Sequence, residues 1–321
     1  MGRYVLRRLV NAVPLIIGIT FISFVVVDLA PGDFFTSLKM NPQFSPETLQ
    51  AMEAKYGFDK PLVIRYFLWL WRVLHLDFGE SIFYHVDVLS LIGRFLPNTV
   101  ILSAAAMVVS WGLAVPLGLF MALRPGTWAD RLLSFFAFMG MSIPSFFFAL
   151  LLLIFALQTG WFPTGGSFSP NYDTLSFFEK IWDRVHHLIL PVVVLGTSGV
   201  AGLMRLMRGN VMEIMNADYV RTARAKGLPE RTVVYKHILR NAINPFITIA
   251  GYELGALFGG AALVEAVLHL QGMGNLMLQA VLSQDLFLLM GSILIGAVLL
   301  IVGNLLADIA LKFADPRIRY E

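Results

Sequence analysis

Long runs without a charged residue are the feature that most constrains this 321-residue chain. Five stretches contain no Asp, Glu, Lys or Arg, and a sixth, Phe246 to Leu268, carries only Glu253 and Glu265. A helix needs about 20 mostly apolar residues to cross a bilayer core. We therefore predict an all-α, polytopic membrane protein with six transmembrane helices. The five stretches lie between Arg8 and Asp28, Arg94 and Arg124, Arg131 and Asp173, Arg184 and Arg205, and Asp285 and Asp308.

The composition excludes several other classes of protein. Charged residues make up 14% of the chain and hydrophobic residues 57%, whereas a soluble domain carries about 25% charged residues. The absence of cysteine excludes disulfides, thiolate catalysis and cysteine-ligated metal sites. The net charge is +3, and the basic residues are concentrated on one predicted side of the membrane. We therefore expect no nucleic-acid partner.

The distribution of basic residues predicts the orientation in a bacterial inner membrane. With the N-terminus inside, 16 of the 24 basic residues fall on the cytoplasmic side. The positive-inside rule then places both termini in the cytoplasm. The first apolar segment is interpreted as a retained helix, because no small-residue cleavage site follows it.

The chain divides into four predicted parts. Residues 1–30 form a cytoplasmic start and the first span, and residues 31–97 form a periplasmic helical region with a normal density of charge. Residues 98–311 form a core of five spans with a long cytoplasmic loop at about 207–245, and residues 312–321 form a cytoplasmic tail. The second and third spans contain Pro116 and Pro144, and such helix breakers are tolerated where neighbours or a cavity satisfy the backbone.

The cytoplasmic loop has a sequence pattern that membrane topology alone does not require. It contains eight basic residues between Arg205 and Arg240. Good helix formers precede Gly227 and Pro229, which together predict a helix stop and a second helix running to about Asn244. One face of the first helix is predicted to contain Tyr219, Ala223 and either Lys226 or Gly227, with a small side chain at its centre. Such a face suits docking into a groove of a partner, although a basic loop can also serve topology alone.

The residues of this loop carry a resemblance to a known family. Ala217 to Pro245 resembles the EAA loop of bacterial ABC importer permeases, and Asp218 to Leu228 is similar to the form found in the oligopeptide/dipeptide importer family, first permease subunit. Two departures are Arg221-Thr222-Ala223 in place of Glu-Ala-Ala, and Gln271-Gly272-Met273-Gly274 where the family tends to have Pro-Gly-x-Gly. The other matching segments are Leu6-Arg7-Arg8-Leu9, Ala30-Pro31-Gly32-Asp33, Glu53 to Pro61, Leu76-Asp77-Phe78-Gly79, Arg240-Asn241-Ala242 and Asp315 to Arg319.

The resemblance implies a type I ABC importer permease fold with a coupling helix that docks on a cytoplasmic ATPase. It implies a second permease, two ATPase subunits that bind ATP and Mg²⁺, an extracytoplasmic binding protein, and membrane lipid around the chain. No cofactor is expected in this chain, and no lysine follows a glycine, so a P-loop is absent from it. The implied ATPase-coupling residues are Asp218, Tyr219, Arg221, Thr222, Ala223, Arg224, Ala225, Lys226, Gly227 and Leu228.

The function implied by the resemblance is import of oligopeptides or dipeptides by alternating access. Relatives in the family also carry nickel, glutathione or other small solutes, so these substrates stay open. A membrane enzyme is the alternative of another class, but neither His-Glu-x-x-His nor Gly-x-Ser-x-Gly occurs, and no catalytic residue is predicted. A secondary transporter would more often show repeated halves and charges at the midplane.

Four acidic residues lie near the predicted bilayer. Glu253 and Glu265 are candidates for the translocation pathway, because intramembrane ionisable groups are functional candidates by default. Asp28, Glu265 and Asp308 lie near helix ends, where interfacial anchoring is the alternative role. No metal site is predicted. We also predict that Ala223→Glu or Gly227→Leu would abolish ATP-coupled uptake with near-normal insertion.

Overall fold

The computed structural model describes residues 2–29, 39, 45–256 and 261–314 of the chain. Within these ranges the regular structure is helical, and the β-type pairing is a single isolated bridge between Glu80 and Asp87. The motif residues 30–38 and 315–321 lie outside the described residues, as do residues 257–260 of the fifth predicted span.

The helices are numbered here in chain order. Their ends carry ordinary helix signals: Asp87 accepts the Ser90 amide, Ser176 and Glu179 form a capping box, and Gly160 ends a helix in the left-handed region. The bounds are α1 Gly2–Leu29, α2 Pro46–Tyr56, α3 Leu62–Leu74, α4 Val88–Leu123, α5 Trp128–Ser142, α6 Ser145–Thr159, α7 Phe177–Met215, α8 Asp218–Ala225, α9 (three consecutive segments, Glu230–Thr232, the π-helical Val233–Leu239 and Arg240–Ala242), α10 Asn244–Ala256, α11 Ala262–Val267, α12 Met273–Leu282 and α13 Leu286–Ala314.

In the described part of the chain, four helices are long and apolar enough to cross a membrane. The third predicted span consists of α5 and α6, which meet at a bend of 100° beside Pro144. The fifth predicted span corresponds to α10 and α11, with residues 257–260 between them outside the description. The four helices are Leu6–Leu29, Val88–Leu123, Phe177–Met215 and Leu286–Leu306.

Two boundaries differ from the sequence-based prediction. The boundary expected between residues 97 and 98 falls inside α4, which begins ten residues earlier at Val88. One helix, α7, contains both the amphipathic stretch that the sequence predicts to end near Arg184 and the fourth span, predicted to reach about Leu203, and it continues to Met215. At 1.5 Å per residue this 39-residue helix is about 58 Å long, so it extends well past a core of about 30 Å.

Three hydrophobic clusters hold the helices together. The first joins α1, α3 and the start of α4 to α12 and α13, around Phe24, Tyr66 and Met290. The second joins α4, α5 and the C-terminal half of α7 to α8 and α9, around Met207 and Val233. The third joins α4, α6, α7 and α11. The second cluster positions the predicted docking helix, because it continues from the membrane helices into the cytoplasmic loop.

Candidate functional site

The predicted docking helix is present as α8, Asp218–Ala225. The helix ends as the sequence predicts: Gly227 has φ +74°, and the Leu228 amide donates to the Ala223 carbonyl at 3.4 Å. This pattern of a left-handed residue followed by a return hydrogen bond closes many helices. The second helix predicted after Pro229 is α9, and its central seven residues are π-helical. The start and stop signals of the loop are therefore confirmed.

One side of α8 faces the protein interior. Val220 is fully buried and Ala223 is 5% exposed, and both belong to the second hydrophobic cluster with Met207 and Val211 of α7 and Val233 of α9. Residues three apart lie on the same face of a helix. Ala223 packs inward while Tyr219, four residues before it, is 46% exposed, and the ATPase-coupling role of Ala223 stays a prediction. Ala223 therefore fixes α8 to the membrane helices.

The opposite side of α8 and the turn after it form an exposed surface, called here the α8 surface. It offers two large apolar side chains, Tyr219 and Leu228, between positive charges. The Arg221 guanidinium lies 3.8 Å from the Asp218 carboxylate and is largely in solvent. The exposed residues are Asp218, Tyr219, Arg221, Thr222, Arg224, Ala225, Lys226, Gly227 and Leu228.

A bidentate ion pair fixes α8 to the start of α9. Arg224 donates from Nη2 to Glu230 Oε1 at 2.7 Å and from Nε to Glu230 Oε2 at 3.3 Å. Hydrogen bonding from Arg224 lowers the pKa of the Glu230 carboxyl below its usual range, and the same contact raises the pKa of Arg224. The pair is therefore ionised at neutral pH, and acidification through the lowered pKa of Glu230 would weaken it.

A second bidentate pair fixes α7 just before α8 begins. Arg208 donates to both carboxylate oxygens of Asp130 at 2.9 and 3.0 Å, and Asp130 also accepts the Gly126 amide at 2.9 Å. Asp130 is almost completely buried. The turn between α4 and α5 is thereby tied to α7. Packed side chains and this ion pair therefore connect α8 and α7 with α4 and α5.

Glu253 lies on α10 with its side chain half-buried. Its Oε2 accepts a hydrogen bond from the Trp111 indole Nε1 on α4 at 2.5 Å. The Trp111 ring meets Phe246 edge-to-face, with centroids 5.6 Å apart. The carboxylate is therefore oriented by one indole and stays partly accessible. This position is compatible with the pathway role predicted for Glu253.

Glu265 lies in a different environment from Glu253. It is fully buried, and its Oε2 accepts the Asn275 amide in the first turn of α12 at 2.8 Å. Thr99 of α4 donates to Glu265 Oε1 at 3.3 Å and accepts the Met273 amide at 2.7 Å. Two orphan amides of α12 are thus capped from other elements. In this chain the carboxylate is buried and caps α12, and the pathway role of Glu265 stays a prediction.

Glu265 also explains the turn whose shape the sequence leaves uncertain. A Cβ atom on Gly272 would lie 2.4 Å from Glu265 Cδ, and one on Gly274 would lie 2.7 Å from the Ala262 nitrogen. The turn is further held by Asn98, which donates to the Gln271 carbonyl at 2.8 Å. The two glycines of this motif are therefore required by close approach of the carboxylate and of the α11 backbone.

We expect Gly272→Ala to destabilise the folded chain by about 1–3 kcal/mol, because the new methyl group must displace a fully buried carboxylate. Gly93→Ala is the matched control, since Gly93 lies in α4 with nothing within 4 Å of the added Cβ. Thermal unfolding of the two purified variants measures the difference. An equal midpoint for both would show that Glu265 does not constrain the turn.

Two further carboxylates have roles that the sequence did not reveal. Asp285 is fully buried, accepts Ser81 Oγ at 2.5 Å and the Phe83 amide at 3.1 Å, and caps α13 through the Leu288 amide at 3.1 Å. Asp28, predicted as an interfacial anchor, forms an ion pair with the buried Arg65 of α3. Ser81 and Arg65 are far along the chain from Asp285 and Asp28, so no local sequence pattern predicts these contacts.

The other ionisable groups singled out in the sequence have separate partners. Asp308 lies 2.8 Å from Arg8, which joins the ends of α1 and α13. His187 Nδ1 lies 2.8 Å from the Asp183 carbonyl and His186 Nε2 lies 3.0 Å from the Trp161 carbonyl, so the two rings face different groups. Among the described residues, no group of three or more His, Asp or Glu side chains is placed to hold a metal ion.

Comparison with known proteins extends over the whole chain. Residues 114–320 match the family described as the binding-protein-dependent transport system inner membrane component, and residues 1–103 match its N-terminal companion. The oligopeptide transport system permease protein AppB of Bacillus subtilis is 40% identical over 322 residues, with 100% of both chains covered. The dipeptide transport system permease protein DppB of Alkalihalophilus pseudofirmus is 32% identical over 334 residues, again with 100% of both chains covered. The chain therefore belongs to the family of inner membrane components of binding-protein-dependent transport systems, and it is a permease subunit rather than an enzyme.

Proposed function

We propose that this permease carries oligopeptides or dipeptides inward by alternating access, as half of a pathway completed by a second, similar permease. The observation that carries the proposal is α8, a short helix that is exposed on one side and packed on the other against α7 and α9. The names of the relatives, which refer to oligopeptide and dipeptide transport, support the substrate class. Nickel, glutathione or another small solute is the alternative cargo of the same kind of permease.

The α8 surface is proposed to dock in a groove of a cytoplasmic ATPase. Tyr219 and Leu228 supply apolar contact, and the flanking Arg and Lys residues supply charge. Val220 and Ala223 act from the other side, since they anchor the helix to the membrane helices. Two ATPase subunits would bind ATP and Mg²⁺, and their closure would move α8 together with α7.

The proposed orientation places both termini and α8 in the cytoplasm. The excess of basic residues on that side supports it. The region of residues 31–97 then lies outside, where an extracytoplasmic binding protein would deliver the substrate. In the described part of this region, α3 is held on α1 by the Arg65–Asp28 pair and by Tyr66, whose hydroxyl lies 3.0 Å from Thr20 Oγ1.

Glu253 is proposed to face the translocation pathway. We expect Glu253→Gln to lower peptide uptake about tenfold, the equivalent of one charge-assisted hydrogen bond to the amine of a peptide. Trp111→Phe is the matched control, because it removes the contact with Glu253 but keeps the carboxylate. Initial uptake rates at equal abundance of both variants measure the effect. Unchanged uptake in Glu253→Gln would exclude the carboxylate from the pathway.

The whole proposal is tested by reconstituting the complete complex in proteoliposomes. Uptake of a labelled tripeptide should require ATP, the binding protein and this chain together. A dipeptide, Ni²⁺ and glutathione are tested beside the tripeptide at equal concentration. Uptake of Ni²⁺ or glutathione without peptide uptake would show that the substrate is that solute and not a peptide. ATP-independent uptake by this chain alone would contradict the permease mechanism itself.

A further inference from the structure

The bend between α5 and α6 lies beside the middle of the uncharged run of α7. A Cβ atom on Gly140 of α5 would lie 3.0 Å from Thr197 Cγ2, and Ala149 of α6 belongs to the same buried cluster as Val194. Thr197 and Val194 lie well inside the uncharged run of α7 between Arg184 and Arg205. The two arms of the bend therefore pack against neighbouring turns of α7, far from either end of its apolar segment.

The bend leaves backbone groups without helical partners at this depth. Pro144 precedes α6 and provides no side-chain cap, so the first amides of α6, from Ser145 to Phe147, have no capping side chain. The last hydrogen bond of α5 runs from the Ile143 amide to the Met139 carbonyl at 3.3 Å, and the first of α6 runs from Phe148 to Pro144 at 3.0 Å. Irregular backbone at membrane depth is tolerated where it is buried in protein or lines a water-filled cavity.

The bend exposes two hydroxyl side chains, those of Ser142 and Ser145. Ser142, Pro144 and Ser145 are all exposed, and Ile143 is half-buried. Contact with lipid would leave the hydroxyl group of Ser145 and the free amides of α6 without hydrogen-bond partners, which is costly in hydrocarbon. This chain therefore does not bury the bend itself, and lipid is a poor environment for it.

A guanidinium group extends the polar surface toward the predicted cytoplasmic side. Arg205 of α7 is exposed, and its guanidinium lies 4.5 Å from the ring centroid of Phe138. Its Nη1 lies 3.7 Å from the sulfur of Met141, one residue before Ser142. Within the described ranges no carboxylate lies within ion-pair distance of Arg205. An intramembrane or interfacial guanidinium of this kind faces water or an anion.

We infer that the bend from Ser142 to Ser145, together with Arg205, lines the water-filled translocation path in this chain. The inference rests on the proposed permease function and identifies a surface of that path. The polar groups extend from beside the middle of the uncharged run of α7 to Arg205 at its predicted cytoplasmic end. Phe138 and Met141 beside them provide adaptable apolar contact for varied side chains. Burial against the second permease is the competing arrangement.

The absence of native cysteine allows a direct test, because a single introduced thiol is the only one in the chain. Ser142→Cys and Ser145→Cys are compared, in the assembled complex, with Val108→Cys, which replaces a 71% exposed apolar residue of α4. A charged, membrane-impermeant methanethiosulfonate is added with and without ATP, and the intact mass of this chain is followed. We expect the two bend thiols to react at least about tenfold faster than Cys at position 108 in one of the two states, because a hydrated thiolate attacks the reagent, forms a mixed disulfide and displaces methanesulfinate.

Equal slow labelling at all three positions in both states would overturn the inference. Fast labelling of the bend only after the chain is separated from its partners would also overturn it, in favour of burial against the second permease. Peptide uptake by each variant is measured in the same preparation. Fast labelling of the bend without ATP-driven uptake would contradict the proposed function and leave the accessibility of the bend established.

Discussion

Replacing Tyr219 by Asp is expected to lower ATP-driven peptide uptake at least about tenfold, because an exposed aromatic at the centre of a docking surface supplies much of the contact energy. The ring is 46% exposed and lies outside the hydrophobic cluster that holds α8. The chain should therefore insert and fold normally. Uptake into proteoliposomes at equal abundance measures the effect, and co-purification of the ATPase reports the loss of docking.

Tyr235→Asp is the matched control for this prediction. Tyr235 lies in the π-helical part of α9, is 58% exposed, and lies outside residues 218–228. The same substitution there should retain most of the uptake. If both variants lost uptake equally, the effect would come from added negative charge near the membrane rather than from the α8 surface. If Tyr219→Asp retained uptake and ATPase binding, Tyr219 would not be a docking residue.

Replacing Ala223 by Glu is expected to destabilise the folded chain by about 3 kcal/mol or more, because it places a carboxylate in an apolar cluster. Ala223 is 5% exposed and belongs to the cluster that contains Val220, Met207 and Val233. Membrane abundance should fall strongly, as quantitative immunoblotting would show. This result differs from the sequence-based expectation of near-normal abundance, which assumed an outward Ala223.

Ala225→Glu is the matched control, since Ala225 lies two residues further along the same helix and is exposed. Its abundance should stay close to that of the native chain. Normal abundance of Ala223→Glu would contradict the packing of α8 on α7.

Gly227→Leu is also expected to affect folding as well as uptake, because Gly227 has φ +74°, a conformation that costs an L-residue roughly 1–2 kcal/mol.

The parts of the fold that could be predicted depend on local sequence signals. The long helices follow from uncharged apolar runs, and the ends of α8 follow from Gly227 and Pro229, because hydropathy and backbone preference act over a few residues. Pro144 indicated a break in the third span, but its angle of 100° depends on packing of both arms against α7. Propensity alone carries no information about that angle.

The parts that could not be predicted depend on partners far along the chain. An eight-residue helix has exposed positions on most sides, and Ala223 faces inward only because α7 and α9 supply apolar partners. Glu265 resembles an intramembrane pathway residue in sequence, yet Thr99 and the first turn of α12 make it a structural cap. Glu253 is half-buried with one oxygen bound by the Trp111 indole, and its pathway role stays a prediction.

Site-specific photo-crosslinking tests whether the α8 surface contacts a cytoplasmic ATPase. A benzophenone amino acid is introduced at Thr222, an exposed position of α8, and separately at Tyr235. Irradiation of intact membranes is followed by mass spectrometry of the crosslinked species. We expect position 222 to form an adduct with a subunit that carries a P-loop. We expect position 235 to form little or no adduct with that subunit. Adducts of position 222 with lipid or with this chain alone, in membranes where the ATPase is present, would contradict it.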